Sequence, residues 1–342
     1  MNALDPQVND KSSAAHRMPA AHPFVSVVIP AHNEEKFISK CIASVIATQW
    51  PANRLEILVI DHRSTDATAD IARQAGATVL AASQDLRIGG VRNVGLSAAK
   101  GEFVAFVDAD CTVPATWLSS AISILRSNSR VGAVGGGPAL SPCSGTWVER
   151  SLAPTLGTPA VIREANTLVT YSFIARTQLL RELGEFNDIV MSGEDDDMSN
   201  RIRNRGLTLL AVADCRVIHF GFPRTLSQVI RKEMWHGSNH IEVRSRFDAT
   251  LTLTGLFIAA SIAVTLSIIA IPALQHRTSL ALIITCLGLQ LLPPALFALK
   301  KLKRSHWQWS LALSMVAVGY AYFIGHSIGV LGNVYRRLLS LA

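Results

Sequence analysis

A chain of 342 residues exceeds one soluble domain of common size by roughly a hundred residues, and its charged residues become scarce after Asp248. The net charge of +7 comes without a dense Lys/Arg stripe interleaved with aromatic residues, so nucleic acid is not expected as a partner. The cysteines are Cys41, Cys111, Cys143, Cys215 and Cys286. They form no CxxC pair or Cys/His cluster, which argues against a zinc site or a disulfide framework and favours a reducing compartment.

Residues 1–23 are polar and rich in Ala and Pro, without the apolar region of a signal peptide, so we expect a disordered N-terminal tail. Val25 to Ile29 predicts a buried strand, which Pro30 closes. Asn33 is a candidate N-cap for the helix that follows, and Glu34 would favour the first turn of that helix.

Further apolar runs alternate with helical patterns along the first two thirds of the chain. This alternation predicts an α/β domain with a mostly parallel sheet flanked by helices. The predicted strands after the first are Leu55 to Ile60, Thr78 to Leu80, Phe103 to Val107, Val131 to Val134 and Thr167 to Ala175, the last running back through the sheet.

Two aspartates follow the fourth predicted strand, in the sequence Asp108-Ala109-Asp110. In an extended backbone residues i and i+2 project to the same face, so the two carboxylates stand together at the strand's carboxyl end. Ligands of open α/β sheets usually bind at such ends, and Asp61 also falls where a strand ends. A divalent cation with oxygen ligands would relieve the repulsion between the carboxylates. An Asp-rich turn is the alternative interpretation.

Residues 191–206 predict a helix with an acidic start and a basic end. This polarity suits the helix macrodipole, so helix stability alone could explain it. The four consecutive acids from Glu194 to Asp197 are nevertheless more than a cap needs.

Three long stretches near the C-terminus, residues 249–276, 278–299 and 305–335, contain no Asp, Glu, Lys or Arg. Each is long enough to cross a bilayer, which makes membrane spans more probable than core helices. The basic cluster at 300–304 should be cytoplasmic, which places the Gln275–Thr278 turn outside and the N-terminal domain inside. A third span would leave Arg336 outside against the charge rule, so this run crosses despite the rule, re-enters or lies in the interface. Two or three spans are therefore expected.

Five stretches between about residues 24 and 240 resemble the motifs of family 2 inverting glycosyltransferases, which have the GT-A type nucleotide-sugar fold. No single stretch is decisive, but the five follow the family's order. They are Val-Ser-Val-Val-Ile-Pro-Ala-His-Asn-Glu-Glu (25–35), Val-Ile-Asp-His-Arg-Ser-Thr-Asp (59–66), Arg-Asn-Val-Gly (92–95), Asp-Ala-Asp (108–110) and Gly-Glu-Asp (193–195).

The resemblance implies a donor site for a nucleotide sugar. Pro30, Asn33, Glu34 and Asp61 would hold the nucleoside, since a carboxylate can accept hydrogen bonds from the N–H groups of uracil or guanine. The family often has a second Asp after the first, where this chain has His62.

The same resemblance implies how the diphosphate and its metal are held. Arg92 would approach the diphosphate, its alternative role being solvation of a helix surface. Asp110 would bind Mg²⁺ or Mn²⁺, with Asp108 contacting ribose or metal. His219 is either a further metal ligand or a structural imidazole.

The resemblance also implies catalytic and acceptor residues. Asp195 would be the general base that deprotonates an acceptor hydroxyl, and Glu194 is the second catalytic candidate. Trp235 and Arg231 are candidate acceptor contacts in a segment similar to the QxxRW box of processive synthases. Met234 stands where that box has Arg, which favours a single sugar transfer.

We therefore expect a disordered tail at 1–23, a catalytic domain at 24–248 and a membrane anchor at 249–342. The protein would be a multi-pass enzyme of the inner (plasma) membrane with a cytoplasmic catalytic domain. It would transfer a sugar from a nucleotide donor to a lipid-linked or saccharide acceptor. A processive polysaccharide synthase, a catalytically inactive membrane scaffold and, more weakly, a nucleotidyltransferase are the alternatives.

Overall fold

A computed structural model describes residues 22–140, 145–153, 162–243, 249–270, 276–304 and 309–341. Residues 1–21 of the tail that we expected to be disordered lie outside the described residues. Gln275 of the expected external turn lies outside them as well. The strands are β1 Val25–Ala31, β2 Leu55–Asp61, β3 Thr78–Ala81, β4 Phe103–Phe106, β5 Cys111–Thr112, β6 Val131–Gly135, β7 Pro138–Ala139, β8 Arg163–Glu164, β9 Phe173–Arg176, β10 Thr208–Ala211 and β11 Val217–His219.

The helices of the α/β region surround the sheet, and the long C-terminal helices follow it in the chain. They are α1 Ile38–Ile46, α2 Thr68–Gln74, α3 Ile88–Ala98, α4 Trp117–Ser127, α5 Trp147–Leu152, α6 Thr177–Glu182, α7 Glu194–Asn204, α8 Leu226–Val243, α9 Ala249–Ala270, α10 His276–Arg304 and α11 Ala312–Leu341.

Within the described residues the main sheet has eight strands in the order β3-β2-β1-β4-β9-β6-β10-β8. Strands β1 to β4 are parallel, whereas β9 runs antiparallel to both β4 and β6. The predicted α/β fold with a mostly parallel sheet is confirmed. The returning strand is shorter than its apolar run indicated, because Thr170–Ser172 forms a turn of 3₁₀-helix before it.

The sheet is buried on both faces. All residues of β1 and β4 are buried, as expected for central strands covered by helices. Trp117 of α4 is fully buried on one face, and its Nε1 donates a hydrogen bond to Ser172 Oγ at 3.0 Å. On the other face α3 lies directly on β1: a Cβ added at Gly95 would come within 2.3 Å of Val28 Cγ1. This close packing fixes α3 against the middle of β1.

The predicted N-cap role of Asn33 is wrong. Helix α1 begins only at Ile38, and no side chain caps it. Asn33 instead adopts φ +57°, a conformation that Asn tolerates better than most residues, and its Oδ1 accepts a hydrogen bond from the Thr65 amide at 2.8 Å. The side chain therefore joins the loop after β1 to the loop after β2.

Two C-terminal helical segments are long and apolar enough to cross a membrane, Thr250–Ile269 and Trp309–Arg336. Helix α10, which contains the whole second apolar run, includes Pro293 and Pro294. Helix α11 packs closely on α8, and its glycines allow this contact. A Cβ added at Gly325 would lie 2.3 Å from a backbone oxygen of α8.

Candidate functional site

A cavity of about 310 Å³ opens at the carboxyl ends of β1, β2 and β4. Six residues that the sequence indicated for the site line it: Pro30, Glu34, Arg92, Asp108, Asp110 and His219. Four further lining residues are His32, His62, Gly221 and Lys232. No sequence pattern indicated a role for His32, Gly221 or Lys232, and His62 stood out only as a departure from the family pattern.

Asp110 and His219 form the part of the cavity best suited to a metal ion. Asp110 Oδ2 lies 3.7 Å from His219 Nε2, because β11 pairs with β5 immediately after Asp110. His219 Nδ1 is buried, and no hydrogen-bond partner for it lies in the described part of the chain. Close packing holds the pair together, since a Cβ at Gly221 would lie 2.0 Å from Asp110 Oδ2.

The chemistry of these donors fits Mg²⁺ or Mn²⁺. The potential ligand atoms of Asp110, Cys111 and His219 all lie within 4.8 Å of one another. Burial raises the pKa of the Cys111 thiol well above its usual range, and its soft sulfur suits neither of these oxygen-preferring cations. A carboxylate oxygen and an imidazole nitrogen remain as donors, which both metals accept. Burial also raises the pKa of Asp110, with His219 opposing the rise and Asp108 adding to it.

Arg92 connects two acidic elements of the site. Its Nη1 donates to Glu194 Oε1 at 2.6 Å and its Nη2 donates to Asp108 Oδ1 at 3.2 Å. Only 3% of Arg92 is exposed to solvent. Arg92, which was predicted to bind the diphosphate, is thus held between the end of β4 and the start of α7. Its partner at the end of β4 is Asp108, which was predicted to contact the nucleotide sugar or the metal.

The four acids at the start of α7 are in different environments. Glu194 pairs with Arg92, Asp196 accepts a hydrogen bond from Thr167 Oγ1 at 2.7 Å, and Asp197 pairs with Arg201 at 2.7 Å. The hydrogen bond recorded for the Asp195 carboxylate comes from the backbone amide of Asp196 at 2.8 Å. Asp195 is therefore the member of the group that is not engaged by another side chain of the described chain.

The environment of Asp195 changes its acidity. Burial raises its pKa to about 7, with the charges of Glu194 and Asp196 adding to the rise and Arg92 opposing it. A carboxylate with a pKa near neutrality can accept a proton and release it again at physiological pH. Asp195 and Glu194 are not among the residues that line the cavity; Arg92 links their helix to it.

Near the carboxyl ends of β1 and β2, two buried side-chain atoms have no hydrogen-bond partner among the described residues. They are Asp61 Oδ1 and His62 Nε2. His32 Nδ1 lies 2.6 Å from the His62 carbonyl oxygen. Pro30 and His62 line the cavity, whereas Asp61 and Asn33 do not.

The two candidate acceptor residues lie on α8, away from the cavity lining. Trp235 is 46% exposed, and its ring contacts that of His236 at 4.9 Å. Arg231 is exposed as well. The neighbouring Lys232 does line the cavity, and spacing alone could not indicate which of two consecutive basic residues faces inward.

Comparison with known proteins places this geometry in a family. A sequence profile described as "Glycosyl transferase family 2" matches residues 26–184. The chain is 30% identical over 233 residues to Glycosyltransferase AglE of Haloferax volcanii, covering 66% of this chain and 76% of that protein. It is 39% identical over 90 residues to the poly(ribitol-phosphate) beta-N-acetylglucosaminyltransferase TarS of Staphylococcus aureus, covering 25% of this chain and 16% of TarS.

A solved structure shows the same fold. It is that of the mannosyltransferase PcManGT from Pyrobaculum calidifontis, in complex with GDP-Man and Mn²⁺. The TM-score is 0.58 at 18% sequence identity, and the match covers 93% of this chain and 89% of that one. Together with the profile and the Haloferax volcanii relative, this shows that the chain belongs to glycosyltransferase family 2 and has the GT-A type fold.

Proposed function

We propose that this glycosyltransferase moves a sugar from a nucleotide-diphosphate donor to a hydroxyl acceptor, with a divalent metal and with inversion at the anomeric carbon. The observation that carries the proposal is that Asp108, Asp110 and His219 line the same cavity at the sheet's carboxyl edge. The fold neighbour, whose complex contains GDP-Man and Mn²⁺, supports a nucleotide sugar and a divalent metal.

In this proposal the chain's own residues divide the work on the donor. Asp110 and His219 would hold Mg²⁺ or Mn²⁺, and the bound ion would stabilise the negative charge that the leaving nucleoside diphosphate gains. Pro30, Glu34 and Asp61 would orient the nucleoside, with Asp61 Oδ1 free to accept a hydrogen bond from a base N–H group.

Asp195 would act on the acceptor. An inverting displacement needs a base on the face of the sugar opposite the leaving group, and a carboxylate with a pKa of about 7 suits that task. Glu194 would hold its neighbour in place through the ion pair with Arg92 rather than take the proton itself. Trp235 and Arg231, exposed on α8, remain candidates for contact with the acceptor.

The acceptor is proposed to be lipid-linked or part of an envelope polysaccharide. The name of the Staphylococcus aureus relative describes transfer to poly(ribitol-phosphate), and two segments of this chain are apolar enough to cross a membrane. We assign a catalytic domain to residues 24–248 and a membrane anchor to 249–342, with the catalytic domain on the cytoplasmic side of the plasma membrane.

The experiment that tests the function is a donor screen with the purified full-length chain in detergent. UDP, GDP, CDP and TDP sugars are each incubated with and without Mn²⁺, and release of the nucleoside diphosphate is measured. We expect Mn²⁺-dependent turnover of one donor. Asp110→Asn should abolish it, whereas Asp70→Asn, a change at an exposed aspartate of α2, should not. Absence of turnover with every donor would support an inactive scaffold, and long polymer on a gel would support a processive synthase.

A further inference from the structure

More carboxylate side chains than lysine or arginine side chains line the cavity, beside three histidines. Glu34, Asp108 and Asp110 line it, and burial raises the pKa of Glu34 to about 7, with the charges of Asp110 and Asp108 adding to the rise. Among the described residues that line the cavity, one is an arginine, Arg92, and one is a lysine, Lys232. An anionic diphosphate therefore meets little positive charge from the protein itself.

Arg92 is already committed to other groups. One terminal nitrogen is 2.6 Å from Glu194 and the other is 3.2 Å from Asp108. The Nε of this 3%-exposed residue has no hydrogen-bond partner among the described residues, but turning the terminal nitrogens to a phosphate would leave a buried carboxylate without its cation. Leaving one charge of a buried pair unpaired is strongly unfavourable. The arginine is therefore poorly placed to follow a ligand that enters and leaves.

Lys232 is in the opposite situation. Its side chain is exposed yet lines the same cavity as Asp110. In the part of the chain that the structure describes, no hydrogen bond or ion pair engages its ammonium group. A lysine offers three donors on a flexible stem, which suits a ligand that arrives and departs in each turnover.

We propose that Lys232 binds the diphosphate of the nucleotide donor and that Arg92 instead positions Asp108 and the start of α7. The assignment rests on the proposed function, since it takes a nucleoside diphosphate as the ligand of the cavity. The ammonium of Lys232 meets the phosphate oxygens from α8, whereas Asp108 and Asp110 line the cavity from the segment between β4 and β5.

The packing of α8 explains how this lysine is held over the cavity. The neighbouring residue Glu233 faces α11, where its Oε2 lies 3.9 Å from His326 Nδ1. A Cβ added at Gly237 would lie 2.3 Å from the His326 carbonyl oxygen, so the two backbones are in direct contact. Lys232 thus projects from a helix whose other side is fixed by the apolar C-terminal helix.

The test is isothermal titration of the full-length protein with UDP and GDP in the presence of Mn²⁺, without any acceptor. Lys232→Met should weaken binding of the preferred nucleoside diphosphate by about tenfold or more, the loss expected for a hydrogen bond to a charged group. Binding of the corresponding nucleoside should be unchanged. Lys232→Arg should retain most of the affinity, and Lys100→Met, at an exposed lysine outside the cavity lining, should retain all of it.

The outcomes separate the two proposals. If the unmodified protein binds neither these nor other nucleoside diphosphates, the proposed function fails and this assignment fails with it. If it binds one and Lys232→Met binds equally well, the lysine assignment is overturned while the function stands; a lysine that serves an acceptor phosphate would give this result. Melting temperatures without nucleotide show that the variants are folded, and Lys232→Gln provides a second neutral variant.

Discussion

Replacing Arg92 by methionine tests whether the ion pairs at the centre of the site support the fold. In the Arg92–Glu194 pair 4% and 8% of the two side chains are exposed, so solvent screens it little. In the Arg92–Asp108 pair 31% of the Asp108 side chain is exposed, so water can compensate for much of that loss. The cost of the substitution therefore comes mainly from Glu194, which would be left charged, buried and without its partner.

Removing one member of a buried ion pair costs about 3–5 kcal/mol. For a domain of this size each kcal/mol lowers the melting temperature by roughly 2–4 °C, so we expect Arg92→Met to melt about 6–20 °C lower. Replacing both partners should behave differently. Arg92→Met combined with Glu194→Leu leaves no unpaired buried charge from this pair, and most of the stability should return.

The assay is thermal unfolding of the full-length chain in detergent, followed by tryptophan fluorescence, for the two single variants and the double variant. Donor turnover is measured on the same samples. If Arg92 positions Asp108 and α7, the double variant should regain stability but not turnover. An Arg92→Met protein that melts within about 2 °C of the unmodified chain would refute the argument, because the buried pair would then contribute almost nothing.

Three further predictions concern the base, the metal site and the C-terminal helix. Asp195→Asn should lower turnover by about 10²-fold or more while leaving binding of the nucleoside diphosphate intact, as titration calorimetry can show. Because the pKa of Asp195 is raised to about 7 and the base acts deprotonated, kcat should rise with pH below about 7 and level off above it, a profile that Asp195→Asn should lose. Asp110→Asn should remove the gain in nucleoside diphosphate affinity on adding Mn²⁺; an unchanged gain would place the metal elsewhere. Gly325→Leu should displace α8, because even a Cβ at that position would lie 2.3 Å from the Ile230 carbonyl oxygen, and it should therefore weaken nucleoside diphosphate binding. Gly255→Leu in α9 is the control: nothing lies within 4 Å of a Cβ there, so binding should not change.

The sequence predicted the features of the site that depend on local pattern. Strand β4 is an apolar run, and Asp108 and Asp110 both line the cavity beyond its end, as predicted. The backbone that joins them is not extended as assumed but forms a turn, in which the Cys111 amide donates to the Asp108 carbonyl oxygen at 3.0 Å. The alternation of strands and helices predicted the sheet, because each buried run must be covered by an amphipathic element. These predictions needed no knowledge of contacts between distant residues.

The features that the sequence could not give depend on contacts across long separations. Arg92 and Glu194 lie 102 positions apart, and a surface role for the arginine could not be rejected until the ion pair was seen. Asn33 has the right composition for a helix cap but is held by Thr65 of another loop. In both cases the polar side chain binds a residue far away in the sequence, which a local sequence pattern cannot indicate.

The boundary drawn at residue 248 shows how composition and packing can differ. Charged residues become scarce after that point, which led us to separate a catalytic domain from an anchor. However, α8 lies before the boundary and packs against α11 beyond it. Val229 of α8 is buried in one apolar cluster with Val318 of α11. Deleting residues 249–342 would remove any membrane attachment, and it would also expose this apolar face of α8. The helix that bears Lys232 would then lose its support. The site should therefore be measured in the full-length chain, where a point change such as Gly325→Leu separates the contribution of packing from that of the membrane.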